Sequence, residues 1–147
     1  MSIDDDVALL ERVPTLHLLG TAALRMLAIG SEPRDVARGD LLFSEGDEAD
    51  AGFIVQRGAF RLKDGGGAEI VAGPGALIGE LALVVAMPRP STATALEHSS
   101  VIRIARSLFQ RVLESDPAAA RRLRDEFASR TSQIASDILM AGAKLSI

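Results

Sequence analysis

At 147 residues, 48% apolar and 24% charged, the chain is long enough for one globular domain with a sizeable core. The absence of cysteine excludes disulfides, thiol catalysis and cysteine-ligated metal, and a net charge of −4 argues against a polyanion as the main partner. The opening MSIDDDVALLER is acidic where a secretory leader would be basic, and no apolar run nears the roughly 18 residues of a membrane span, so a soluble, cytoplasmic protein is expected.

Residues 1–32 read as short helices. Val7, Leu9, Leu10 and Val13 form an amphipathic turn or two that Pro14 ends. Thr21 is placed as the N-cap of a second helix carrying Leu24, Met26, Leu27 and Ile29, with Gly30 as its stop. Both are too short to be stable alone and must pack on something larger.

Over residues 33–105 short apolar runs alternate with glycine turns such as Glu45-Gly46-Asp47, Arg57-Gly58 and Asp64-Gly65-Gly66-Gly67. The expected strands are Leu41–Phe43, Gly52–Gln56, Phe60–Lys63, Glu69–Ala72, Thr92–Leu96 and Val101–Ile104. Several short strands closed by glycines point to a mainly β domain, an antiparallel roll of the jelly-roll type, with flanking helices.

Within it, residues 78–95 read IGELALVVAMPRPSTATA. The carboxylate of Glu80, ionised, is an acceptor suited to a sugar hydroxyl. The apolar turn that follows would present unpaired backbone N–H groups at its start, and Arg89 adds a two-pronged permanent cation suited to a phosphate. Phosphate donors and a sugar acceptor in one stretch suggest a nucleotide. Two plainer readings stand beside this one: Arg89 paired with Glu80 as a structural ion pair, and Glu80 as an acidic first-turn residue favoured by the helix dipole.

Residues 106–147 read as helical. Ser107–Leu113 forms a short helix, and Asp116-Pro117 is a strong start signal for a longer one. Along the latter, Phe127, Thr131, Ile134, Ile138, Ala141 and Leu145 recur in steps of four and three, a heptad seam that suggests a homodimer. Arg121, Arg122 and Arg124 leave the start of this helix poor in apolar faces, which favours pairing with a second copy over packing on its own β domain.

The stretch GELALVVAMPRPSTATA, together with GDLLFSEGDEADAGFIVQRGAFRL upstream of it, resembles the cyclic-nucleotide-binding domains of the catabolite activator protein, the protein kinase A regulatory subunits and the cyclic-nucleotide-gated channels. The likeness covers nearly the whole chain, and its most specific part is the phosphate-binding cassette, G-E-x-A-L followed by P-R-x-x-T in the family. The resemblance implies that Gly79 opens the cassette helix and that Glu80 accepts from the ribose 2′-hydroxyl. It places the backbone N–H groups of Leu81 and Ala82 at the cyclic phosphate and Arg89 on its exocyclic oxygens. Ser91 and Thr92 would add donors from the following strand, and Leu62 and Val71 would line the base. Thr131 and Ser132 stand where the activator has a Thr-Ser pair that reaches the adenine amino group, one serine coming from the other subunit.

Pro90 departs from the cGMP-selective members, which often carry a threonine there; proline has neither hydroxyl nor N–H, so cAMP is the expected ligand. The activator's helix-turn-helix segment has no counterpart before Ile147, so direct DNA binding is not expected, and the output would lie on an unknown partner protein. The contrasting classes are a ligand-free dimerisation or interaction module of the same fold, and a jelly-roll metal enzyme. Metal enzymes of that type need about three clustered His or carboxylate ligands. His17 and His98 are scattered and no catalytic motif occurs, so no catalytic residue and no metal ligand is expected.

Overall fold

The computed structural model describes residues 2–126 and Ala128. Ser2 caps helix α1 (Ile3–Glu11), its hydroxyl accepting from the Asp5 N–H at 3.1 Å, and Asp4, Asp5 and Asp6 lie at the positive end of the helix dipole. A 3-10 turn over Leu16–Leu19 leads to α2 (Thr21–Gly30). Two boundaries differ from expectation. Gly20, not Thr21, is the N-cap, because the backbone there must reach φ 85° to leave the 3-10 turn. Gly30 is the last helical residue and the helix closes at Ser31, whose hydroxyl donates to the Ala28 carbonyl at 2.9 Å.

Among the described residues ten strands follow: β1 (Glu32–Val36), β2 (Leu41–Phe43), β3 (Glu48–Ala49), β4 (Ala51–Arg57) and β5 (Phe60–Lys63), then β6 (Glu69–Ala72), β7 (Leu77–Ile78), β8 (Met87–Pro88), β9 (Thr92–Ala95) and β10 (Ser99–Ala105). They form two four-stranded sheets, β1-β10-β4-β7 and β2-β9-β5-β6, and a two-stranded ribbon β3-β8, with every pair antiparallel. The expected antiparallel roll is present. The unexpected strands are β1, β3, β7 and β8. Three are only two residues long, and β1 is a polar edge strand with a single buried residue, Val36, so none carries an apolar alternation.

Strands β4 and β10 are buried on both faces, which explains their nearly continuous apolar runs. Phe53, Val55 and Val101 face the interior of the roll, where they meet Phe60, Ala72, Ile78, Ala93 and Ala95. Ile54, Ile102 and Ile104 point the other way, into a helical layer built on Leu10, Leu16, Leu24 and Leu27. Helix α3 (Arg106–Ser115) adds Phe109 and Val112 to that layer.

Residues 117–126 are helical, and Asp116 caps them as expected: its carboxylate accepts from the Ala119 N–H at 3.1 Å. The start of this helix is not short of an apolar face. Ala119 and Leu123, one helical turn apart, are buried in the helical layer of the same chain. Arg122 donates to the Leu18 and Leu19 carbonyls at 2.7 and 3.1 Å, so an arginine read as surface charge ties down the end of the 3-10 turn. Asp116→Ala is expected to lower stability by about 1 kcal/mol, the usual worth of an N-cap, measured as a urea midpoint shift at unchanged slope. The heptad seam from Phe127 onward lies outside the described residues. Among the described residues no helix is long and apolar enough to cross a membrane.

Candidate functional site

Arg89 follows directly on the β3-β8 ribbon, and its backbone is held from both sides. Its N–H donates to the Asp47 carbonyl at 2.7 Å, and its carbonyl accepts from Gly46 at 2.9 Å. The side chain runs inward and is 5% exposed. Its Nη2 donates to the Ala51 carbonyl at 2.9 Å, and its guanidinium carbon lies 4.3 Å from the Phe43 ring centroid and 5.4 Å from that of Phe53. A bulge in β2 places Phe43 there: Leu41 lies opposite Thr94 on the outer face of the sheet, whereas Phe43 lies opposite Ala93 on the inner face.

No ion pair joins Arg89 to a carboxylate among the described residues, and its buried Nε has no hydrogen-bond partner among them. Burial holds the guanidinium below its ordinary pKa; the Asp50 and Asp47 carboxylates act against this shift and Arg103 adds to it. A buried, hydrogen-bonded cation without a counter-charge is costly in isolation, and an anion brought to it relieves that cost. The structural pair between Arg89 and Glu80 is not formed. The Glu80 carboxylate instead accepts from the hydroxyl of Thr15 at 2.8 Å.

Gly79 stands between these groups in the left-handed region, φ 78° and ψ 38°, and opens a four-residue 3-10 turn over Glu80–Leu83. A Cβ at Gly79 would lie 2.6 Å from Arg89 Nη1, so the glycine also makes room for the guanidinium. Within the turn the Ala82 N–H donates to the Gly79 carbonyl at 3.1 Å, which occupies one of the two donors expected to face a phosphate. Gly79, Glu80, Leu81, Ala82, Arg89 and Pro90 together line a cavity of about 200 Å³. Leu62, Pro90 and Ser91 line an adjoining one of about 230 Å³.

Two expected residues lie elsewhere. Val71 is opposite Arg61 on the outer face of the second sheet; Ile70, opposite Leu62, shares the inner face and lines the second cavity, although the two are about equally exposed, 63% and 65%. The side-chain period of a strand is two, so an assignment wrong by one residue selects the wrong face. Thr92, opposite Lys63, is likewise on the outer face, and its hydroxyl accepts from the Glu45 N–H at 2.9 Å. Thr131 and Ser132 lie outside the described residues.

Two residues that sequence reasoning missed complete the frame. Thr15 carried no signal beyond following the proline that ends the first helical segment. Arg106, at the junction of β10 and α3, donates through Nη1 to the carbonyls of Ala49, Ala82 and Val85 at 2.8, 3.3 and 3.1 Å. A larger cavity, about 480 Å³, is lined by Val84, Leu113, Ala120 and Leu123 with the exposed Glu114 and Arg124, and it has no buried charge, so the candidate site is the smaller one at Arg89. Among the described residues no cluster of His, Cys, Asp or Glu is placed to hold a metal ion.

The site sets a glycine-opened turn against a buried arginine that pairs with no carboxylate among the described residues. The chain belongs to the cyclic nucleotide-binding domain family, whose model matches residues 33–116. It is 30% identical over 128 residues to the cyclic nucleotide-gated potassium channel mll3241 of Mesorhizobium japonicum, covering 87% of this chain and 36% of that protein. It is 36% identical over 106 residues to a cAMP-dependent protein kinase regulatory subunit of Eremothecium gossypii, covering 70% and 23%. The crystal structure of the N-terminal domain of a transcriptional regulator from Streptomyces coelicolor A3(2) superposes with a TM-score of 0.80 at 31% identity, over 88% of this chain and 94% of that one. The chain spans between 7% and 36% of the length of the first curated relatives it matches.

Proposed function

We propose that the chain is a regulatory module that binds cAMP in the paired cavities beside Arg89 and acts through a partner protein. The observation that carries this reading is the buried Arg89 guanidinium, which packs against the adjacent Phe43 and Phe53 rings and pairs with no carboxylate among the described residues. A cyclic phosphate bears a single negative charge and two exocyclic oxygens, a match for one guanidinium fork. Glu80 then accepts from the ribose hydroxyl, and Leu62 and Ser91 border the space for the base, with Ile70 in place of Val71.

Pro90 supplies no hydroxyl to a guanine, and one relative is described as a cAMP-dependent regulatory subunit; both support cAMP over cGMP. In the relatives a domain of this kind is one part of a much longer chain, which supports a role in biasing something beyond itself and not in chemistry of its own. Binding would be a two-state bias, with the ligand favouring whichever conformation places all of these contacts on it. Thr131 and Ser132 remain proposed contacts to the base, and the heptad seam a proposed homodimer contact.

The reading is tested by thermal shift and calorimetry against a panel of cyclic mono- and dinucleotides. A ligand that binds only the folded state raises the melting temperature in proportion to its occupancy, and cAMP is expected to give the largest shift. No shift with any member of the panel would overturn the reading in favour of a ligand-free interaction module. Solution scattering with and without cAMP is expected to return the mass of a dimer.

A further inference from the structure

Thr15 is 2% exposed and sits beside the fully buried Leu16. It occupies the N-cap position of the 3-10 turn over Leu16–Leu19, yet its side chain makes no capping bond. The hydroxyl is directed to Glu80 Oε1 at 2.8 Å, across 65 residues of chain. A buried hydroxyl is costly unless bonded, and a bond to a carboxylate is among the stronger ones it can make.

Thr15 is one support of Glu80. Glu80 follows a glycine, which offers no side chain to pack against, and it stands at the start of a turn only four residues long. A free glutamate has several rotamers to lose before it can meet a ligand group in one place. An ionised carboxylate has about four acceptor positions, so a bond from Thr15 can help orient the group without filling it.

From this geometry we infer that Thr15 is a positioning residue, one that holds the Glu80 carboxylate in the orientation that recognises the ribose 2′-hydroxyl and so sets discrimination against the deoxy sugar. The inference rests on the nucleotide reading above. It also makes the N-terminal helical layer a contributor to ligand selectivity, although none of its residues lines the cavity at Arg89.

The test is calorimetric titration of the wild-type chain, Thr15→Val and Thr15→Ser with cAMP and with 2′-deoxy-cAMP. Valine keeps the shape of threonine and removes the donor; serine keeps the donor. Thr15→Val is expected to bind cAMP about tenfold more weakly and 2′-deoxy-cAMP within about twofold of wild type, so the preference for the hydroxyl collapses, while Thr15→Ser restores it. Thermal melts of the unliganded variants check that each is folded. Equal weakening towards both nucleotides, or an unchanged preference in Thr15→Val, would overturn the inference and leave the nucleotide reading in place. A wild-type chain that binds neither nucleotide overturns the nucleotide reading, and this inference with it.

Discussion

Arg89→Met is expected to weaken cAMP binding by about 3–5 kcal/mol while leaving the unliganded protein at least as stable as wild type. The two halves of this result have one cause. In the unliganded chain the guanidinium is buried against Phe43 and Phe53 with one strong acceptor, the Ala51 carbonyl, and an unpartnered Nε. Methionine has a similar reach and can lie on the same rings with nothing to desolvate. With a phosphate present the balance reverses, because only the guanidinium supplies charge and paired donors. Calorimetry would measure the first half and urea unfolding the second. Wild-type affinity in the variant would remove Arg89 from the phosphate. A large loss of stability would mean that its role is structural.

Gly79→Ala is expected to cost about 1–2 kcal/mol of stability through the left-handed backbone alone, and to lower cAMP affinity at least tenfold. The added methyl would lie 2.6 Å from Arg89 Nη1. Long side chains usually yield to such an intrusion, but this one is tethered at Ala51 and packed on the Phe43 and Phe53 rings, so displacement moves the cation out of register with its anion. A double-mutant cycle separates the two terms. With methionine at position 89 the contact with Nη1 is gone, and Gly79→Ala should then cost only the backbone strain. If its stability cost is the same in both backgrounds, the steric coupling between Gly79 and Arg89 is refuted.

Much of this fold was legible because its signals are local. Phe60–Lys63 and Glu69–Ala72 were placed with the observed bounds, since glycine turns flank short apolar runs. Gly79, Glu80 and Arg89 are close in sequence, and the fold brings them to one cavity. What was missed depends on register or on distance along the chain. Val71 and Ile70 are adjacent in sequence and on opposite faces of the sheet, and no local pattern distinguishes them. The polar edge strand β1 is held by its pairing with β10 and not by its own apolar content. Thr15 reaches Glu80 only because the N-terminal helices fold back over the roll. The start of the terminal helix was misread because two small apolar contacts, Ala119 and Leu123, were outweighed by three neighbouring arginines, one of which is an anchor.

Arg106 has a consequence for how such a domain could respond to a ligand. One guanidinium nitrogen gathers carbonyls from the β3 end, from the 3-10 turn and from the residues just beyond it, and it belongs to the first residue of α3. If the turn shifted and the helix stayed, that nitrogen would lose acceptors, so moving the turn alone costs more than moving it together with α3. Arg106 thereby makes the cassette and α3 a single mechanical unit, and a ligand's grip on the one would be felt as torque on the other.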